Sequence, residues 1–238
     1  MKKLDVNCDV GEGINNEQHL MPFIQSCNIA CGGHAGNAQT IKTVVNLAIK
    51  YGVKIGAHPS YPDKDNFGRI TLKMDSLEFI NSIRGQIKLV ESIVLEKGGM
   101  LNHIKPHGAL YNDIAKNNEL SKLFLDAIFE YKKNVKLYVP YNSVISNIAE
   151  KMGFSVIFEA FGDRSYNNDL SLVSRNKEYA VLNSPKDVIN QISNIFLNNF
   201  VKTISGKKVF IKADTFCIHS DTENANKIIN EIAINFNK

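Results

Sequence analysis

The chain has 238 residues, 44% of them hydrophobic and 22% charged, a balance ordinary for a soluble globule that needs no disulfide or metal staple to bury a core. Its net charge of +4 comes from 28 basic and 24 acidic residues spread along the sequence, without the Lys/Arg run that marks nucleic-acid or anionic-membrane binding. Met1-Lys2-Lys3 is followed by Asp5 and Asp9 instead of an apolar stretch, and no run approaches the roughly 18 apolar residues of a membrane span, so the cytoplasm is the expected compartment.

In chain order, the first strand candidate is Leu4–Val10 and the second Ile24–Cys31. Asn37 can cap a helix running to Tyr51, with Ile41, Val44, Val45 and Ala48 on one face and Gly52 beyond its end. A strand over Val53–Ala57 follows. Asp75 and Glu78 then form a capping-box pattern ahead of a long helix that stops at Gly98-Gly99. Strands are predicted over Met100–Ile104, Val135–Val139 and Val156–Phe161. Ser184-Pro185 opens a helix toward Phe200, a last strand is predicted over Val209–Ala213, and Thr222 starts a final helix through Ile229, Ile232 and Ile234.

Most of the strand candidates are nearly continuous in apolar residues, as strands covered on both faces are. Seven alternations of strand and helix predict an α/β fold, a seven-stranded, TIM-like parallel βα-barrel in one domain over 1–238. The first strand is not followed by a Gly-x-Gly-x-x-Gly turn, which weakens the Rossmann alternative. Neither a P-loop nor a Gly-x-Ser-x-Gly elbow occurs. Cys27 and Cys31 lack a matching second pair and, like Cys8 and Cys217, read as buried thiols rather than as a zinc site.

Polar clusters follow the strands, and a barrel would bring them to one mouth. Asp9 and Glu12 can divide into a general acid and a base, or hold a cation. Gly33, His34 and Gly36 lie in a glycine-rich turn that enters a helix, where backbone N–H groups can meet an anionic substrate. His58 stands just past a strand end as acid, base or metal ligand, and Arg69 downstream can pair with a substrate carboxylate or phosphate. His103, Lys105 and His107 share one strand face, and partial burial should lower the Lys105 pKa. Asp163-Arg164 reads as an ion pair that orients another group. Asp214, with His219 and Asp221, closes the constellation. The catalytic candidates are therefore Asp9, Glu12, His58, Lys105, His107 and Asp214. Gly33, His34, Gly36, Arg69, His103, Arg164 and His219 are candidates for substrate binding, and His34, His58 and His107 for a metal.

Five ordered motifs carry a resemblance to a known family: Asn7-Cys8-Asp9-Val10-Gly11-Glu12, Cys31-Gly32-Gly33-His34-Ala35-Gly36, Gly56-Ala57-His58-Pro59-Ser60-Tyr61, Lys105-Pro106-His107-Gly108-Ala109-Leu110-Tyr111-Asn112 and Asp214 to Asp221. With Phe67-Gly68-Arg69 between them, they resemble the LamB/YcsF family of subunits of ATP-dependent 5-oxoprolinases. The resemblance implies a barrel of the glycoside hydrolase/deacetylase type. It implies cleavage of 5-oxoproline to glutamate with ATP, carried with Mg2+, as co-substrate. It also implies B and C subunits as partners, and a homo-oligomer is compatible with it. Three positions differ from the family's usual pattern: Asn37 replaces an aspartate, Gly162 an alanine and Ser220 a glycine.

Two other readings compete with this one. The first is a stand-alone metal-dependent deacetylase-like hydrolase with Asp9, His34, His58 and His107 as ligands. The second is a non-catalytic substrate-binding subunit.

Overall fold

The computed structural model describes residues 3–236; Met1-Lys2 and the last two positions of the expected 1–238 domain lie outside the described residues. Seven parallel strands close into a barrel: β1 (Val6–Val10), β2 (Ser26–Ala30), β3 (Lys54–His58), β4 (Leu101–Ile104), β5 (Lys136–Pro140), β6 (Ser155–Phe161) and β9 (Thr215–Cys217). Each pairs with the next, and β9 pairs with both β6 and β1. Helices α2 (Ala38–Tyr51), α3 (Ser76–Glu96), α5 (Asn118–Ala127), α6 (Val144–Met152), α7 (Pro185–Asn198) and α8 (Ala225–Phe236) form the outer layer, with the short α1 (Glu17–Leu20) and α4 (Gly108–Ile114) between them. Among the described residues, no helix is long and apolar enough to cross a membrane.

Local chemistry sets the helix ends where the sequence places them. The Asn37 side chain accepts from Thr40 N at 3.0 Å, and Gly52 closes α2 in the left-handed conformation. Asp75 accepts from Leu77 N at 2.9 Å to start α3. Ser184 precedes Pro185 at the start of α7 but makes no side-chain cap bond. The final helix begins at Ala225, after a turn in which Ala225 N donates to Thr222 O at 2.9 Å.

The seventh strand differs from expectation. Lys208–Phe210 pairs antiparallel with β7 (Phe200–Lys202) in a hairpin outside the barrel, as β8, and Phe210 is exposed. Closure falls to Thr215-Phe216-Cys217, whose alternation is polar inward and apolar outward. The Val209–Ala213 run is apolar enough to read as a buried strand. The barrel, however, needs a residue at 215 that hydrogen-bonds its interior, and Thr215 Oγ1 does so with Asn7 Nδ2 at 3.0 Å.

The same alternation runs round the barrel. Cys8, Ile29, Ala57, Ile104, Val139 and Phe216 belong to the hydrophobic core beneath the helices. Asn7, Asp9, Asn28, His103, Lys105 and Glu159 are joined instead by hydrogen bonds and ion pairs inside. Gly56 faces inward, opposite His103 in the β3–β4 register, and leaves room for that imidazole. A methyl at 56 would lie 2.1 Å from His103 Nε2, so the ring would have to leave its bond to Asn28 and its stack on Tyr138. Gly56→Ala is therefore expected to cost about 2 kcal/mol or more. Thermal unfolding should show a Tm lower by roughly 4–8 °C, and an unchanged Tm would contradict this packing.

Candidate active site

The floor of the barrel mouth is a buried ammonium between two carboxylates. Lys105, 2% exposed, has Nζ 2.9 Å from Asp9 Oδ1 and 3.0 Å from Glu159 Oε1, and also donates to Asn7 Oδ1 at 3.3 Å. Cys217 Sγ is a further 3.0 Å neighbour. Burial alone would lower the lysine pKa, as its sequence position suggests. The Asp9 and Glu159 carboxylates outweigh burial and hold it well above the ordinary value, so the expected fall does not occur. At Asp9 burial works in the raising direction, and the adjacent His58 imidazole and Lys105 ammonium overcome it, keeping the carboxylate ionised.

Above this floor stand three imidazoles and Glu12. His58 Nδ1 lies 2.7 Å from Lys105 O and His107 Nε2 lies 2.9 Å from Phe67 O, and a carbonyl can only accept. In its neutral form each ring thus spends its one N–H on the backbone. Their remaining nitrogens, His58 Nε2 and His107 Nδ1, face each other at 3.0 Å. Two lone pairs at that distance need a proton or a cation between them. His34 stacks on His107 with centroids 3.6 Å apart, donates from Nε2 to Glu12 Oε1 at 2.9 Å, and has a buried Nδ1 without a partner among the described residues. Burial pushes the pKa values of His34 and His107 down, which favours neutral, ligating rings. Donor atoms of Glu12, His34, His58 and His107 all lie within 4.8 Å of one another. The donor set fits a divalent cation of the kind that imidazole and carboxylate hold.

Across the mouth, Asp163 and His219 form a second constellation. Asp163 is fully buried and accepts from His219 N at 2.9 Å, from its Nδ1 at 3.0 Å and from the Thr222 hydroxyl. His219 is thereby held by Nδ1, with Nε2 unbonded among the described residues, and the residue lines the mouth. The expected Asp163–Arg164 ion pair is absent among the described residues. Arg164 instead donates to Ala180 O and Val173 O, binding down the loop after β6, and burial beside Arg175 lowers its pKa to about 10. At the rim, Asp221 Oδ2 accepts from Arg69 at 2.8 Å and from Arg175 at 3.4 Å.

These groups line a cavity of about 380 Å3, among them Asp9, Glu12, His58, Arg69, Lys105, His107, Arg164 and His219 of the residues expected from sequence. Others lie elsewhere. Asp214 precedes β9 and so sits at the opposite end of the barrel, where its carboxylate accepts from Phe158 N at 3.0 Å. His103 is sealed one layer below the mouth, bonded to Asn28 Oδ1 at 2.7 Å. Gly33 and Gly36 leave room for protein and do not line the cavity: a methyl at 33 would meet Gln86 and Ser60, and one at 36, where φ is +80°, would meet Ala30 O. The helix entry they precede is already capped by Asn37. His34 reaches the site from behind, through Glu12 and His107. Glu159 and Arg175 escaped the sequence reading. The signal for Glu159 was a lone acid in the apolar run Ser155–Phe161; Arg175 sits in an irregular loop with no pattern to mark it.

The sequence profile of the LamB/YcsF family matches residues 4–238. A protein from Haemophilus influenzae (strain PittEE) described as a 5-oxoprolinase A subunit is 36% identical over 239 residues, covering 99% of this chain and 98% of that one. A Bacillus cereus (strain AH820) protein of the same description is 36% identical over 231 residues, covering 94% and 91%. The crystal structure of the lactam utilization protein from Thermus thermophilus superposes with a TM-score of 0.89 at 30% identity, covering 98% of this chain and 96% of that one.

Two measurements test this electrostatic arrangement. Lys105→Met leaves Asp9 and Glu159 buried without their cation and is expected to cost about 3–5 kcal/mol, with partial recovery on adding Glu159→Gln. Denaturant unfolding reads both, and additive losses would contradict the pairing. Asp163 is the second case: burial raises its pKa, but His219 and its hydrogen bonds bring it below the ordinary value. A depressed folded pKa gives stability that is complete above the unfolded value of about 3.9 and is lost as pH falls through the folded one. Asp163→Asn should therefore flatten the acid limb of Tm against pH; a limb as steep as the native one would sink the assignment.

Proposed function

This chain belongs to the LamB/YcsF family, and from that premise we propose that it is the A subunit of an ATP-dependent 5-oxoprolinase, working with B and C subunits to open the lactam of 5-oxoproline to glutamate. The observation that carries the reading is the end-to-end likeness to relatives described as 5-oxoprolinase A subunits, joined to a mouth that holds an ionised buried carboxylate, open imidazoles and a basic rim. The reading places the reaction in the cytoplasm, where ATP is made and where the four free cysteines would stay reduced.

A lactam carbonyl is a poor electrophile because its nitrogen lone pair is delocalised into it. Transfer of the γ-phosphoryl group to the carbonyl oxygen, with ADP leaving, makes an imidate-like carbon. Water adds to that carbon, the ring C–N bond breaks with the nitrogen taking a proton, and the remaining acyl phosphate is hydrolysed by a second water to glutamate and phosphate. Asp9, ionised and 3.4 Å from His58 Nε2, is placed to accept a proton from water. His219, oriented by Asp163, is placed to move a proton to the departing nitrogen. Lys105 keeps Asp9 ionised, and Arg69 with Arg175 can receive the substrate carboxylate in place of Asp221.

The facing nitrogens of His58 and His107 favour a second component. Glu12, His34, His58 and His107 would hold a divalent cation, which supplies a Lewis acid for a carbonyl or phosphoryl oxygen when bound. Stoichiometric metal in the purified chain, and a Tm that falls on chelation and returns with the metal, are the expected results. A metal-free chain whose Tm ignores added Zn2+ and Mn2+ would leave a shared proton as the occupant.

Glutamate release from 5-oxoproline plus ATP tests the main reading, with the chain alone and with its partners. Turnover is expected only in the complex, with kcat lowered about 100-fold or more by His219→Asn. Absence of turnover in every combination would overturn it.

A further inference from the structure

The rim of the mouth holds more positive charge than its acids answer. Of the carboxylates that line the cavity, Asp9 is engaged by Lys105 and Glu12 by His34, which leaves Asp221 among Arg69, Lys116, Arg164 and Arg175. Arg164 is spent on two backbone carbonyls, and the charge of Arg175 adds to burial in lowering its pKa. Both contacts of Asp221 fall on one oxygen: Oδ2 accepts from Arg69 Nη2 at 2.8 Å and from Arg175 Nη1 at 3.4 Å. Arg69 lies between β3 and α3, Arg175 between β6 and α7, and Asp221 between β9 and α8. One carboxylate thus ties three rim loops together.

The parts of this tie differ in freedom. The backbone on either side of Asp221 is pinned, because His219 N and the Thr222 hydroxyl both donate to the buried Asp163. Arg69 is supported from behind, its guanidinium carbon 4.9 Å from the centroid of the Phe67 ring, and Phe67 O is in turn held by His107 Nε2 at 2.9 Å. The Asp221 side chain is 23% exposed and is the part that can swing.

Two guanidiniums on one oxygen are an incomplete match, since arginine recognises a carboxylate best when both oxygens accept. A ligand carboxylate that enters from solvent can offer one oxygen to each arginine while Arg69 stays on its ring face. An exposed ion pair is weak enough to yield to it. A ring without a carboxylate has nothing to exchange and leaves the Asp221 contacts closed across the rim.

We propose that Asp221 is a built-in competitor for the ligand's carboxylate, occupying Arg69 and Arg175 until a cyclic monocarboxylate displaces it, and that it is thereby a specificity-determining residue. The proposal rests on the 5-oxoprolinase reading above for the identity of the substrate.

Asp221→Asn keeps the shape of the side chain and removes its charge. The variant is expected to bind 5-oxoproline about threefold or more tighter, read as KM in the assembled complex and as a calorimetric Kd with the full chain. Unchanged or weaker binding would overturn the proposal. Binding of 2-pyrrolidinone, which has the lactam but no carboxylate, should be equal in the native and variant chains. A matching gain for this neutral ring would mean that the substitution only loosens the rim, and would overturn the proposal as well. Adding Arg69→Gln to Asp221→Asn should abolish the gain for 5-oxoproline, and its survival would overturn the exchange. Cyclopentanecarboxylate, with the carboxylate and no lactam, separates this inference from the functional reading. Tighter binding of that probe to Asp221→Asn, in a protein that never hydrolyses 5-oxoproline, would refute the 5-oxoprolinase reading and leave the exchange standing.

Discussion

A lysine ammonium inside a barrel is the constraint on which the rest of this molecule turns. Lys105 cannot be lifted from water at low cost unless opposite charges meet it, and Asp9 on β1 and Glu159 on β6 do so from opposite sides. Their excess negative charge is spread through neutral amides. Asn28 Nδ2 donates to both Asn7 Oδ1 and Asp9 Oδ1 at 2.7 Å, and His103 supports Asn28 from below. Most barrels fill their interiors with branched aliphatic side chains. Here the interior is a hydrogen-bonded column from Asp5, through Thr215 and Asn7, up to Asp9 at the mouth.

That column dictates the shape of its surroundings. Strands must alternate polar inward and apolar outward although both faces are buried, and the short β9 closes the barrel because Thr215 and Cys217 continue the pattern. Gly56 exists to admit the His103 ring, and that ring stacks on Tyr138 at 4.0 Å to fill the width a branched side chain would otherwise occupy. Rigidity below permits reactivity above. The mouth imidazoles are fixed by backbone carbonyls, His219 by Asp163, and the loop after β6 by Arg164, so the groups facing the cavity are held before any ligand arrives.

Gly162 shows how a family departure is absorbed. A methyl there would lie 2.7 Å from Ile218 Cδ1 and 2.9 Å from Ile192 Cδ1, so the two isoleucines already occupy the space that an alanine would take. Asn37 is absorbed too, because its amide oxygen caps α2 without needing a charge. Ser220 is buried with a hydroxyl lacking a partner among the described residues, and nothing in the structure explains it.

The sequence by itself determined the parts governed by short-range physics. Apolar runs gave six of the seven barrel strands to within about two residues, Asn37 and Asp75 marked their helix starts, and polar residues at strand exits singled out Asp9, His58, Lys105, His107 and His219. Tertiary structure alone decided which of these groups touch. Lys105 and Asp9 are 96 positions apart, and His219 and Asp163 are 56 apart, and no local pattern encodes such pairings. The sign of the Lys105 pKa shift followed from Glu159 and Asp9 arriving beside it, and Asp214 lost its place when the last strand moved to 215–217. Periodicity and capping are written in neighbouring residues, whereas charge balance belongs to whichever side chains the closed barrel brings within about 3 Å of one another.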